Sequence, residues 1–135
     1  MKGFLFTSDW HLRDSVPVCR TDDFINVQWE KVEFILQYAK DNDLIILHAG
    51  DIFDKAKSSP AVEAKLIHLL ETYSIQFCCV AGNHDLLWHN KNQVCSIDVL
   101  RAARLINDIF QEPIKLVLGM TEINIQKQQI GRAHV

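Results

Sequence analysis

The chain has 135 residues, of which 48% are apolar and 23% charged. That is one domain's worth of sequence, with enough apolar side chains for a packed core, and it excludes a disordered or low-complexity chain. Fourteen basic against 17 acidic residues leave a net charge of −3. No basic surface therefore announces nucleic acid or membrane by charge alone, and any affinity for phosphate has to come from a local site or a bound cation.

Lys2–Thr7 reads as a short buried strand running into Ser8-Asp9-Trp10-His11. Its apolar stretch, Phe4-Leu5-Phe6, is too short for a signal peptide, and nothing later approaches a transmembrane run. A loop with Pro17 follows, and Thr21-Asp22-Asp23 is a helix-start signal. Ile25, Trp29, Val32, Leu36 and Ala39 recur at steps of three and four, which predicts a helix over Phe24–Ala39 with Trp29 in the core. Leu44–Leu47 is a continuous apolar run of the kind a parallel sheet buries on both faces, and it leads into His48-Ala49-Gly50-Asp51. Ser59-Pro60 predicts an N-cap with proline in the first turn, followed by a stripe of Val62, Leu66, Leu69, Leu70 and Tyr73. Ile75–Val80 is the third strand, with Cys78 and Cys79 as packed thiols, ending at Ala81-Gly82-Asn83-His84-Asp85. A helix over about Val94–Leu105 and strands at Ile114–Leu118 and Glu122–Ile125 complete the reading. The order β-α-β-α-β predicts an α/β fold with a parallel sheet, right-handed crossovers and no internal boundary. Cys19, Cys78, Cys79 and Cys95 lack metal-clip spacing, which suits a reduced, cytoplasmic protein.

The polar clusters fall at strand ends. Asp9-X-His11, Gly50-Asp51-X-X-Asp54 and Gly82-Asn83-His84-Asp85 each follow an apolar strand, and in an open α/β sheet the carboxyl ends of parallel strands share one ligand-binding edge. Glycines 50 and 82 allow a sharp turn and close approach to an ion. Several carboxylates gathered there are unfavourable unless a cation neutralises them. Carboxylate, imidazole and amide oxygen suit Mn²⁺, Fe²⁺ or Zn²⁺, and a central Asp51 has the place to bridge two ions. Each cluster alone is ordinary turn chemistry; three in order are harder to explain that way. A Rossmann module is disfavoured because no Gly-X-Gly-X-X-Gly follows the first strand.

Thr7-Ser8-Asp9-Trp10-His11-Leu12, Ala49-Gly50-Asp51-Ile52-Phe53-Asp54 and Ala81-Gly82-Asn83-His84-Asp85 resemble the first three motifs of the calcineurin-like metallophosphoesterases, over about residues 1–90. Within that superfamily the wording is most similar to SbcD-type DNA repair exonucleases. The resemblance implies the N-terminal half of a four-layer α-β-β-α sandwich and two divalent ions, Mn²⁺ foremost. Asp9 and His11 would hold the first ion, Asp51 would bridge, and Asn83 would hold the second. His84 would act as general acid or charge stabiliser at the leaving oxygen, Asp85 would orient its ring, and Asp54 would support the ligands from behind. The reaction implied is attack of activated water on a phosphodiester, DNA in the SbcD branch, with an SbcC-like ATPase as partner and no membrane. A phosphatase or cyclic-nucleotide phosphodiesterase of the same superfamily is the near alternative. A non-catalytic binding module on the same fold is the alternative from another class.

The family's site is completed by an isolated histidine and a Gly-His-X-His pair from its second half. After His84 the sequence offers only His89, read as a rim residue, and His134. Ile130-Gly131-Arg132-Ala133-His134-Val135 is what a common sequencing adapter encodes in one frame, so the phosphoesterase domain is expected over 1–129 and the tail 130–135 as an artefact. On that reading the chain is an inactive fragment with an exposed apolar sheet face and a half-open metal site, binding Mn²⁺ weakly and prone to aggregate. His48 and His68 read as a strand-end polar group and a helix-surface residue. Trp10 and Trp88 are candidates to wall the site, Arg13 and Arg20 to approach substrate, and Arg101 and Arg104 to form a solvated helix face.

Overall fold

The computed structural model describes residues 2–80, 95–103 and 105–106, together with the backbone of strands at 107–108, 114–118 and 121–125. The elements run β1 (Gly3–Thr7), α1 (Phe24–Asp41), β2 (Leu44–His48), α2 (Pro60–Tyr73), β3 (Phe77–Cys79), α3 (Ser96–Ala102), β4 (Asn107–Asp108), β5 (Ile114–Leu118) and β6 (Thr121–Ile125). The first four strands form a parallel sheet in the order β1-β2-β3-β4, and β5 pairs antiparallel with β6 in a hairpin. This is the predicted α/β architecture with a fourth strand added. Asn107-Asp108 carries no apolar pattern, and only its pairing with Cys78 and Cys79 makes it a strand.

Alternation sorts each strand. Leu5, Leu44, Ile46, Phe77 and Cys79 turn to the face where all three helices pack, joining Trp29, Val32, Leu36 and Ala39 of α1, Val62, Leu66, Leu69 and Leu70 of α2, and Ile97 and Leu100 of α3 in one core. Ile45, Leu47 and Cys78 occupy the other face, and they are buried too, at 4%, 3% and 0% exposure. The expected exposed apolar face is therefore absent at β2 and β3. Among the described residues, that face leaves a large side chain open on β1, the strand that opens the sheet order, at Phe6.

Local chemistry accounts for the element ends. Ser59 caps α2, its Oγ accepting the Val62 amide at 3.3 Å, and Pro60 occupies the first turn. Ser74 closes that helix in the left-handed region, its amide donating to the Leu70 carbonyl. Asp23 stands at the N-cap of α1 but its side chain does not cap, because its carboxylate is taken by the Asn26 side chain and its ψ of 70° is outside the extended range. β3 is shorter than Ile75–Val80, although its flanks still bond to β2: Ile46 N–H donates to Gln76 and Val80 N–H to His48. α3 is shorter than Val94–Leu105, beginning where Asp98 accepts the Cys95 amide at 2.8 Å. Among the described residues, no helix is long and apolar enough to cross a membrane.

Candidate metal centre

Beyond the end of the regular β1–β2 ladder the two chains stay joined. Ala49 N–H donates to Thr7, Asp9 N–H to Gly50, His11 N–H to Asp51, Leu12 N–H to Ile52, and Asp54 N–H returns to Leu12, all at 2.9–3.0 Å. Leu12 and Phe53 form a parallel bridge and are both buried, which anchors the far end of this seam in the core. The first two polar clusters are thus one structure, and the seam fixes the backbone from which their side chains project.

Asp9, His11 and Asp51 come together there, each offering one ligand atom, with all three atoms within 4.8 Å of one another. His11 Nε2 lies 3.7 Å from Asp9 Oδ1. The Asp9 and His11 side chains keep 43% and 37% of their surface exposed, so the cluster opens toward solvent. All three residues have positive φ, at 54°, 48° and 58°, and Gly50 between the motifs has φ 115°. A left-handed conformation costs a non-glycine residue about 1–2 kcal/mol. Three such residues in one cluster is the pattern expected where function rather than stability sets the backbone. Ser8 Oγ donates to Asp9 Oδ2 at 3.0 Å, which leaves Oδ1 toward His11.

The donor set fits a divalent cation. Two carboxylates repel at this spacing, the imidazole offers a neutral nitrogen, and a 2+ ion among them removes the repulsion. Asp54 lies behind them: its amide closes the seam on Leu12, and its carboxylate stands 3.9 Å from the Arg13 guanidinium. Asn83, His84 and Asp85 lie outside the described residues, as do Trp88, His89, Arg104 and the segment 130–135.

Two supporting residues carry more than the sequence reading gave them. His48 ends β2 as expected but is fully buried, stacked on Phe77 and meeting the Trp10 ring edge-on at 4.9 Å. Its Nδ1 accepts the Gly50 amide at 3.0 Å, which holds the glycine just before Asp51. Gln28 of α1 is buried and bonded to the backbone of Arg13. It sits on the apolar stripe, a helical step from Ile25 and from Val32, and a lone polar residue there is the signal that marks it. Trp10 packs edge-on against both His48 and Phe77 and donates from Nε1 to Thr7 Oγ1 at 2.7 Å. Of the other candidates, Arg13 faces Ser15 and Asp54, Arg20 pairs with Asp22, Arg101 pairs with Asp98, and His68 is exposed on α2.

A cavity of about 290 Å³ opens beside Asp9, between the first motif and α1. Trp10, Leu12, Phe24, Val27, Val32 and Ile35 form its apolar wall, and Arg20 and Lys31 bring positive charge to it.

A search of curated proteins found no match to the chain. A family model for the calcineurin-like phosphoesterases matches residues 3–126, from the first residue of β1 to the one after β6. That span takes in the seam, the strained aspartates and histidine, and the sheet that carries them, so the chain belongs to the calcineurin-like phosphoesterase family.

Proposed function

We propose that the chain is the metal-holding part of an SbcD-type exonuclease, which hydrolyses phosphodiester bonds of DNA with two divalent ions, Mn²⁺ in preference to Fe²⁺ or Zn²⁺. Metal-dependent phosphoester hydrolysis is carried by one observation, the convergence of Asp9, His11 and Asp51 to within 4.8 Å in a family of phosphoesterases. The narrower reading is supported by the Ser-Asp-Trp-His-Leu and Gly-Asp-Ile-Phe-Asp wording and by the cavity. A space of about 290 Å³ beside Asp9, with two aromatic rings and Lys31 in its lining, suits a substrate with a flat organic group next to its phosphate.

When bound, the ions supply positive charge for the phosphoryl oxygens and a nucleophile from water at neutral pH. Asp9, His11 and Asp51 would hold the ions, with Asp51 shared between them and Asn83 completing the set as the motif wording implies. His84 would serve at the leaving oxygen as general acid or charge stabiliser, and Asp85 would orient its ring. Asp54 keeps the seam closed behind the ligands. An SbcC-like ATPase is the proposed partner and the cytoplasm the proposed location.

The test is to incubate the purified chain with Mn²⁺ and linear duplex DNA, a simple phosphodiester and a phosphomonoester, beside Asp51→Asn. Mn²⁺-dependent release of nucleotides from DNA ends, lost in Asp51→Asn, is the expected result once all ligands are present. Hydrolysis of monoesters with diesters untouched replaces the nuclease by a phosphatase. Mn²⁺ bound without turnover is expected if further ligands follow Gln129. Sequencing the source DNA past that codon decides it, since an isolated histidine and then Gly-His-X-His supplies them. No hydrolysis and no Mn²⁺ binding leaves a binding module.

A further inference from the structure

We infer that Gln28 is a positioning residue of the metal centre, whose carboxamide grips the backbone of Arg13 and so holds Asp9 and His11 in their left-handed conformations. The inference rests on the reading of Asp9, His11 and Asp51 as ligands of a divalent ion. Arg13 N–H donates to Gln28 Oε1 at 3.0 Å, and Gln28 Nε2 donates to the Arg13 carbonyl at 2.9 Å. The two bonds close a ring between α1 and the residue at which the first motif leaves the seam. Gln28 is 7% exposed, so both bonds form where water competes little.

The placement gives the pair its consequence. From Asp9 to Leu12 the backbone is bonded to residues 50–54, and at Arg13 that support passes to Gln28. Without the grip, the segment keeps the seam and the buried Leu12 but loses its hydrogen-bonded tie to α1, which weakens the hold on the strained φ angles at Asp9 and His11. A glutamine suits this place because it donates and accepts at once from a planar group. Glutamate accepts from the Arg13 amide but sets a carboxylate oxygen against the Arg13 carbonyl. Methionine keeps the length of the stem and makes neither bond. The Arg13 side chain bonds to Ser15 in its own loop and stands 3.9 Å from the Asp54 carboxylate of the second motif.

The experiment compares Gln28→Met, Gln28→Glu and Leu36→Ala in the full chain. It reads Mn²⁺ affinity from the loss of the free-ion electron paramagnetic resonance signal, and hydrogen exchange at the Arg13 amide. Leu36 is a fully buried core residue of the same helix with no bond to the loop, and it controls for stability alone. Gln28→Met is expected to weaken Mn²⁺ binding roughly 10-fold or more, the usual effect of losing a residue that orients ligands, and to speed exchange at Arg13. Gln28→Glu is expected to keep the Arg13 amide protected and to lose affinity by a smaller factor; it carries the test if Gln28→Met does not fold. Leu36→Ala is expected to lower Tm while leaving Mn²⁺ affinity within about twofold. Gln28→Met and Gln28→Glu that bind as the parent does, or a Leu36→Ala that loses as much affinity as they do, overturn the positioning role. A parent chain that binds no more Mn²⁺ than Asp51→Asn overturns the metal-centre reading itself, and the role of Gln28 with it.

Discussion

On the helix-covered face of the sheet, Leu5, Ile46 and Phe77 sit in adjacent strands with ordinary extended backbone and pack against α1, α2 and α3. A few residues further along, past the ends of β1 and β2, Asp9, His11 and Asp51 are half-exposed, turned to positive φ and crowded with like charge. The first region has the features that stabilise a fold: buried area, dense packing and unstrained dihedrals. The second has those that cost stability and is held by the seam of backbone hydrogen bonds that runs into the buried pair Leu12 and Phe53. The difference locates function, because backbone strain persists only where the surroundings over-determine it. It also predicts that the two regions respond to substitution in opposite ways.

The largest effect belongs to the core. Leu66 is 1% exposed on α2, so Leu66→Ala should cost about 2–5 kcal/mol of stability through lost contacts and a residual cavity. Denaturant unfolding reads the loss. Mn²⁺ affinity of the folded fraction should stay as in the parent, and a changed affinity would mean that core and edge are not separable. Next comes the ion itself. A ligand that binds only the folded chain stabilises it by about 2.7 kcal/mol at a hundred times its dissociation constant. Thermal unfolding should therefore move up with added Mn²⁺ and return on chelation.

Asp51→Asn gives the sharpest contrast. Asparagine tolerates the left-handed conformation that Asp51 holds, and it removes one of two carboxylates whose ligand atoms lie within 4.8 Å. Repulsion across that distance is about 1 kcal/mol in a water-like dielectric. The ion-free variant should be as stable as the parent or slightly more so, while the shift in Tm with Mn²⁺ disappears. A variant that is less stable without metal would show that Asp51 is a structural residue.

How much of this was legible in the sequence follows the same division. Apolar spacing is decided locally, so α1, β2 and α2 could be read from Trp29–Ala39, Leu44–Leu47 and the Ser59-Pro60 cap. The convergence of Asp9, His11 and Asp51 was legible because strand ends share an edge in a parallel sheet and the motif words are specific. What escaped depends on contacts between distant segments. β4 is two polar residues that become a strand only by pairing with β3. The seam past β1 and β2 is made of backbone groups, on which side-chain types leave no mark. The burial of Ile45, Leu47 and Cys78 is a property of the whole chain and cannot be read from a strand that looks the same on either face. Gln28 did leave a trace, as a polar residue on an apolar stripe, but its partner could be known only once α1 met the first motif.

A smaller effect separates strain that serves a site from strain that serves a turn. Ser74 has φ 49° at the end of α2, close to the values of the metal candidates but far from them. Ser74→Gly removes a left-handed penalty of about 1 kcal/mol and gives up one exposed bond from Ser74 Oγ to the Glu71 carbonyl. A net gain of about 0.5 kcal/mol is expected, with Mn²⁺ affinity unchanged. Relieving the same angle at Asp51 with glycine should abolish metal binding, so equal geometry would give opposite functional results.

The smallest effect lies at the rim of the cavity. The Arg20 guanidinium donates to both oxygens of Asp22, and that hydrogen bonding holds the Asp22 carboxyl below its ordinary value and raises Arg20. Because the folded value is lowered, the stabilisation is present above the unfolded carboxylate value, about 3.9, and is lost as pH falls through the lowered folded value. Both groups are fully exposed, so salt screens the pair and its effect on unfolding should be at the edge of detection. The sharper readout is the carboxyl titration of Asp22 by nuclear magnetic resonance, which should move toward the ordinary value in high salt or in Arg20→Gln. Asp22→Asn should leave Tm unchanged and release the guanidinium toward the cavity it lines, where a phosphate-bearing ligand would gain a charge-assisted bond. If affinity for such a ligand falls instead, Asp22 is holding Arg20 in its binding orientation, and the rim belongs with the strained edge rather than with the solvent-facing surface.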